Sequence, residues 1–341
     1  MITIDGSEGE GGGQVLRTAL SLALVTGQPF TMTNIRGSRE RAGVMRQHMT
    51  AVEAACAVGG ECEELDVGAS EISFVPGRVK AGDYHFAVGT AGSTSLVLQT
   101  VLPPLLLANG PSRLVLEGGT HNIYAPPFDF IERVFLPVIN RMGPRVTARL
   151  KRPGFYPAGG GHVEVEIEPA PALTPIELLE RGELRHVEAR AMVAGLPGAI
   201  AVRELAAVEK ILGWPEEARK IVQLPERVGP GNIIMVEAKF DNVTEMTSGF
   251  GKLGVPAEAV GEHAAKRMAG YLASTAAVGP YLADQLLMPL ALAGGGRFTT
   301  VKPSQHARTA AEVISKFLPT SVSFEEQDAG PHLVRIEATI D

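Results

Sequence analysis

The chain is poor in cysteine, in tryptophan and in positive charge. It holds two cysteines, Cys56 and Cys62, and one tryptophan among 341 residues. Two cysteines six positions apart make neither a zinc motif nor a disulfide framework, so a reducing, cytoplasmic setting is expected. The formal net charge is −7, which excludes a protein that draws nucleic acid by a global field. Any such role must rest on a local basic patch. Long apolar runs are missing too. The most apolar stretch, residues 96–108, is interrupted by Gln99, Pro103 and Pro104. It falls short of the roughly 20 apolar residues that span a bilayer and reads as a buried helix. The first residues carry neither a basic segment nor an apolar core, so no secretory signal is expected. The eight histidines show no HExxH and no i, i+4 pair, against a zinc hydrolase. No nucleophile elbow of the G-x-S-x-G kind occurs either.

What is abundant is glycine, 39 residues, with 24 prolines, and both punctuate periodic segments. The opening stretch, residues 5–14, reads DGSEGEGGGQ and runs into the apolar segment 15–25. A glycine cluster leading into a helix presents backbone N–H groups at the positive end of the helix dipole, a ready anion site. Glu8 and Glu10 in the same loop would repel a bare phosphate, which points to a metal–phosphate complex. The plainer reading is a Gly-rich turn that merely starts a helix.

Three segments share one grammar: a small-residue lead-in, an apolar helix, a glycine stop, a strand, a polar loop, a second helix and two strands. The first has helices at Gly13–Thr26 and 43–58 with strand 30–35 between them. The second has helices at 95–108 and 128–141 around strand 113–117. The third has helices at 281–293 and 308–318 around strand 298–301. The expected fold is therefore α/β in layers, with three repeated β-α-β-α-β-β units forming a large domain over 1–182 and 277–341. Residues 183–276 break the spacing and read as a smaller inserted α/β domain. Its expected elements are strands 187–193 and 233–239 and helices 202–212, 215–223 and 256–273.

The loops after these strands carry the chemistry. Arg36, Arg39, Arg41 and Arg46 cluster with Gln47 and His48, and Arg17 lies one turn into the first helix. Several arginines together suit a polyanion, though a solvated loop paired with surface carboxylates would look the same. The second lead-in, residues 89–95, is hydroxyl-rich and is followed by Gln99. It lacks the Gly-Lys-Ser/Thr of a P-loop, and the first lead-in misses the third glycine of a dinucleotide fingerprint. Tyr281, with Asp284 and Gln285, could stack on a base and read its edge, or simply open a helix. His306 stands at a helix start, where the dipole disfavours the imidazolium, and a neutral imidazole is a competent nucleophile. A capping or surface histidine is the alternative.

Taken together, residues 5–17 (DGSEGEGGGQVLR), 46–52, 89–107, 118–131 (GGTHNIYAPPFDFI), 154–161 (GFYPAGGG), 229–232, 271–292 and 303–309 closely resemble the RNA 3′-terminal phosphate cyclases. The resemblance covers nearly the whole chain. It implies a ligase-type enzyme that uses ATP and a divalent metal, Mg or Mn, to turn an RNA 3′-phosphate into a 2′,3′-cyclic phosphodiester. In that family a histidine takes AMP from ATP and passes it to the RNA end, giving an RNA(3′)pp(5′)A intermediate, before the 2′-OH closes the ring. His306 matches the nucleophile and Glu10 the metal-side carboxylate. Arg17, Arg36, Arg39 and Gln47 match contacts to phosphates or the RNA end. Gln99, Pro126, Tyr281, Leu282, Ala283, Asp284 and Gln285 match the ATP site, with Tyr281 and Pro126 flanking adenine. Partners implied are RNA 3′-phosphate ends, with no membrane; a homodimer is compatible with this reading. Residues 246–250 (MTSGF) depart from the aromatic pattern of bacterial relatives, so Phe250 is left out of the expected site.

Two other classes compete. A non-catalytic relative that binds RNA would share the fold without the nucleophile, and His306 and Glu10 speak against it. An enolpyruvyl-transferase-like enzyme would share only the repeat architecture, which is weak ground for function.

Overall fold

The computed structural model describes residues 1–62, 65–328 and 330–339. Among them, four four-stranded sheets carry the helices, and three of these sheets have one strand order. The first is built from β1 (Ile2–Asp5), α1 (Gly13–Thr26), β2 (Phe30–Thr33), α2 (Arg46–Val58), β3 (Gly60–Cys62) and β4 (Ile72–Pro76), ordered β1-β2-β4-β3. The second has β5 (Asp83–Ala87), α3 (Thr94–Leu106), β6 (Ser112–Gly118), a broken second helix, β7 (Arg145–Arg152) and β8 (Gly161–Glu168), ordered β5-β6-β8-β7. The broken helix is α4 (Phe128–Phe130), a π turn (Ile131–Phe135) and α5 (Leu136–Asn140). In both sheets the first pair is parallel and the other two are antiparallel.

Another sheet sits between them and the last one in the chain. β9 (Glu177–Leu178) precedes it, and then come β10 (Leu184–Ala194), α6 (Ala199–Leu212), β11 (Arg219–Leu224), β12 (Gly231–Phe240), β13 (Thr244–Phe250) and α7 (Ala257–Ala273). The chain then returns with α8 (Pro280–Leu292), β14 (Gly295–Thr300), α9 (Gln305–Phe317), β15 (Thr320–Glu325) and β16 (His332–Ala338). The last sheet is ordered β15-β16-β14-β9, the same order read from the other edge, with β9 and β14 parallel.

Strand alternation explains how the middle sheet joins the rest. In β10 and β12, Ala189, Ala191, Val193, Ile234, Val236 and Ala238 face α6 and α7 and form a core of their own. The alternate residues Met192, Ala194, Ile233 and Met235 belong to the main core. A sheet buried on both faces reads as a nearly continuous apolar run, and β12 is buried at nine of its ten positions. α3 is likewise buried almost all round, as befits a helix packed between α1, α2 and the second sheet.

Several local expectations shift. The helix expected over 43–58 begins at Arg46, because Gly43 sits at φ 82° and donates to Ile35 O at 2.7 Å. The helix expected over 215–223 is wrong. A single 3₁₀ turn (Glu216–Ala218) gives way to β11, which pairs in parallel with β10. The β-branched pair Ile221–Val222 prefers the pleated surface. β13 was not anticipated. Cys56 is disulfide-bonded, contrary to the expectation for the two cysteines.

Candidate active site

The lead-in loops of the first and last units meet at the starts of α1 and α9. Glu10 N donates to Thr309 Oγ1 at 3.0 Å, across nearly the whole chain. Gly9, at φ 60°, makes this approach feasible. A Cβ there would lie 2.4 Å from Thr309 Oγ1. Ser304 caps α9 by accepting from Ala307 N at 2.9 Å, and its hydroxyl donates to Asp284 Oδ1 at 2.6 Å. This fixes the first turn of α9 against α8 and sets the position of His306.

The His306 ring is held at one nitrogen. Nδ1 lies 2.7 Å from Gln14 Oε1 and 2.5 Å from Glu10 Oε2. Both neighbours are acceptors, so Nδ1 carries the proton. Nε2 then keeps its lone pair and has no protein partner among the described residues. Burial pushes the imidazole below its ordinary value; Arg39 and Arg17 add to this, and Asp284 opposes it. The Nδ1–H is shared between the Glu10 carboxylate and the Gln14 amide oxygen. Glu10 in turn pairs with Arg39 through its other oxygen.

A cavity of about 1300 Å³ opens in front of this group. Glu10, Arg17, Arg36, Arg39, Gln47, Gln99, Pro126, Tyr281, Asp284, Gln285 and His306 all line it. Arg17 has no carboxylate partner among the described residues, and burial lowers its pKa to about 10. It stays charged at neutral pH, so an uncompensated cation faces the cavity. Arg36 is less free, because its guanidinium donates to Arg41 O at 2.6 Å and Gly43 O at 3.0 Å. Gln99 Nε2 donates to Gln285 Oε1 at 2.5 Å, which ties α3 to α8. Asp284 is pushed up to about 6 by burial.

Leu282 and Ala283 are placed differently. Both are buried in the main core and neither lines the cavity. Tyr281, Asp284 and Gln285 share the cavity face of α8 with Met288 and Pro289, as i, i+3, i+4 spacing requires. Glu8 reaches toward Lys316 at 3.8 Å. The reading of the residues alone gave Gln14 and Thr309 no role, since their partners are almost 300 positions away in sequence. His48 was named only as part of the arginine cluster. It is buried at the cavity wall, where Nδ1 accepts from Met45 N at 3.1 Å. Burial, with Arg17 and Arg36 nearby, depresses it to about 3, so it is neutral.

A neutral, oriented imidazole facing arginines and an exposed tyrosine defines a cavity suited to nucleotide phosphates. The family model described as RNA 3′-terminal phosphate cyclase matches residues 8–324. A protein of Koribacter versatilis (strain Ellin345) named RNA 3′-terminal phosphate cyclase is 53% identical over 329 residues, covering 96% of this chain and 93% of its own. A protein of the same name from Ectopseudomonas mendocina (strain ymp) is 47% identical over 337 residues, covering 98% and 97%. Another, from Ralstonia nicotianae (strain ATCC BAA-1114 / GMI1000), is 48% identical over 339 residues, covering 98% and 96%. The chain belongs to the RNA 3′-terminal phosphate cyclase family.

Proposed function

We propose that this chain is an ATP-dependent ligase-type enzyme that converts an RNA 3′-terminal phosphate into a 2′,3′-cyclic phosphodiester. The carrying observation is the held imidazole of His306, protonated at Nδ1 by its two acceptors and open at Nε2. Nε2 attacks the α-phosphorus of ATP. The N–P bond forms as the bond to the β-phosphate oxygen breaks, and pyrophosphate leaves. An oxygen of the RNA 3′-phosphate then displaces His306 from the adenylate, giving RNA(3′)pp(5′)A and restoring the imidazole. The neighbouring 2′-OH attacks the 3′-phosphorus, loses its proton and expels AMP. Splitting the ring closure this way supplies a good leaving group for a poor one.

The residues divide the work by chemistry. Arg17 and Arg39 offset charge on the triphosphate and the RNA phosphate, and Gln47 adds a neutral donor. Arg36 contributes charge from the rim. Tyr281 and Pro126 flank the adenine, with Gln99, Asp284 and Gln285 at its edge. Leu282 and Ala283 support that helix from the core.

A divalent cation fits this donor set in one way. No group of three His, Cys, Asp or Glu able to hold a metal occurs among the described residues. Mg²⁺ commonly takes one or two carboxylates and fills its shell with phosphate oxygens and waters. Glu10 would hold it, and the ion would offset charge on the phosphates. Within the same reading, residues 1–182 with 277–341 form the catalytic body and 183–276 an inserted domain. The separate core between the middle sheet and its helices supports this division. Among the described residues no helix is long and apolar enough to cross a membrane. We place the chain in the cytoplasm, acting on RNA ends as a monomer or homodimer.

The test is direct. Incubation with ATP labelled at the α-phosphate and Mg²⁺ or Mn²⁺ should give covalent label that is acid-labile and alkali-stable. Label that persists in His306→Ala would overturn the assignment. RNA ending in a 3′-phosphate should become resistant to phosphatase, while RNA ending in a 3′-OH should not change.

A further inference from the structure

Several residues of the middle sheet and its helices line the cavity, and two residues of these elements, Glu245 and Arg267, bear on Tyr281. The first is Glu245 on β13, 1% exposed. Its Oε2 accepts the backbone N–H of Gly279 at 2.8 Å. Gly279 is the residue on which α8 begins, two positions before Tyr281. A Cβ at Gly279 would sit 2.5 Å from three atoms of that carboxyl group. The other carboxyl oxygen of Glu245 is buried without a hydrogen-bond partner. The second is Arg267 on α7. Its guanidinium carbon lies 4.3 Å from the centre of the Tyr281 ring. Arg267 also lines the cavity and has no ion-pair partner among the described residues. Tyr281 is 42% exposed, so one ring face takes the cation and area remains for a ligand.

We infer that Arg267 is a positioning residue for the nucleobase of ATP: it clamps the Tyr281 ring from the side away from the base, on a helix start that Glu245 holds in place. This rests on the reading that Tyr281 is the base platform. A surface tyrosine on the first turn of a helix samples several rotamers. A guanidinium stacked on one face selects one of them, at a geometry where the cation–π attraction is appreciable. The ring then meets the purine already oriented, and less freedom is lost on binding. The inserted residues thereby act on ATP capture, with no part in the phosphoryl chemistry at His306.

The experiment measures self-adenylation of the full chain with labelled ATP, and cyclisation of a 3′-phosphorylated RNA. Arg267→Met should raise KM for ATP about fivefold, leave kcat within twofold and leave KM for RNA unchanged. Arg267→Lys, which keeps a cation, should recover much of the loss. Tyr281→Ala should raise KM for ATP by at least as much. In a Tyr281→Ala background Arg267→Met should add nothing, because its effect passes through the ring. If Tyr281→Ala raises KM and Arg267→Met does not, the inference fails and the platform reading stands. If Tyr281→Ala leaves KM for ATP unchanged, the platform reading falls and takes the inference with it. An Arg267→Met variant that loses kcat for both substrates, or whose effect persists in full without Tyr281, also overturns the inference.

Discussion

Gln14 holds His306 by two bonds at once. Its Nε2 donates to the His306 backbone carbonyl at 3.3 Å, and its Oε1 faces Nδ1 of the same residue at 2.7 Å. One side chain on α1 thus fixes both the place and the tautomer of a side chain on α9. Gln14→Ala should slow self-adenylation in kcat by about ten- to hundredfold, the scale of a misoriented catalytic imidazole. KM for ATP should move less than threefold. A large KM effect with kcat intact would assign Gln14 to nucleotide binding instead.

Arg39 acts on His306 through charge. Its cation adds to the burial that pushes the imidazole below its ordinary value, and it shares Glu10 with the ring. Removing the cation relieves repulsion of the imidazolium and frees Glu10 to attract it. Both changes favour protonation, so Arg39→Gln should raise the His306 pKa. NMR titration of the ring protons, compared with the parent chain, reads this without relying on activity. A pKa that falls or stays put would contradict the placement.

The contact between Gly9 and Thr309 is tight enough to test by size. Gly9→Ala would place a methyl group on Thr309 Oγ1 from a backbone at φ 60°. A loss of about 1–2 kcal/mol is expected, with adenylation falling more than stability because Glu10 moves with the loop. Thr309→Ala in the same chain removes the clash while the backbone strain persists. Denaturant melts of the pair should therefore recover part of the loss. No recovery would mean that the two residues do not touch.

Glu204 gives stability a pH dependence. It is fully buried on α6, and Asn232 Nδ2 donates to its Oε2 at 3.0 Å. Burial raises its pKa from 4.5 to about 7. The unfolded chain loses this proton near its ordinary value, whereas the folded chain keeps it. The stabilisation is thus full below pH 4.5 and is lost as pH rises through about 7, a change of about 3 kcal/mol. Glu204→Gln should abolish that part of the slope and gain on the parent chain at pH 8 relative to pH 4. Parallel stability curves for the two would show that Glu204 is ionised in the folded state.

Glycine punctuation made much of the fold legible. The α1 limits, Gly13 to Thr26, follow from the lead-in and from Gly27, a left-handed stop at φ 70°. Residues 215–223 misled because nine residues with mixed polarity fit a helix about as well as a turn and a strand. Only pairing with β10 decides between them. In the site, the motif at 281–285 covers one turn of α8, of which Tyr281, Asp284 and Gln285 line the cavity. Successive residues on a helix point 100° apart, which sends Leu282 and Ala283 inward. Gln14, Thr309 and Arg267 act through partners that no local pattern brings near. His48 was grouped with the arginine cluster, and nothing in the sequence gave its burial at the cavity wall.

The bond from Glu10 N to Thr309 Oγ1 also has a consequence in time. A polypeptide emerges from the ribosome amino end first and folds unit by unit. The loop that holds Glu10 is made at the outset, whereas the residues that complete it are among the last. A nascent chain therefore carries the cavity arginines through most of its synthesis before His306 joins them. On the proposed reading, prematurely terminated products that lack α9 are expected not to take label from ATP, however well their first two sheets have formed.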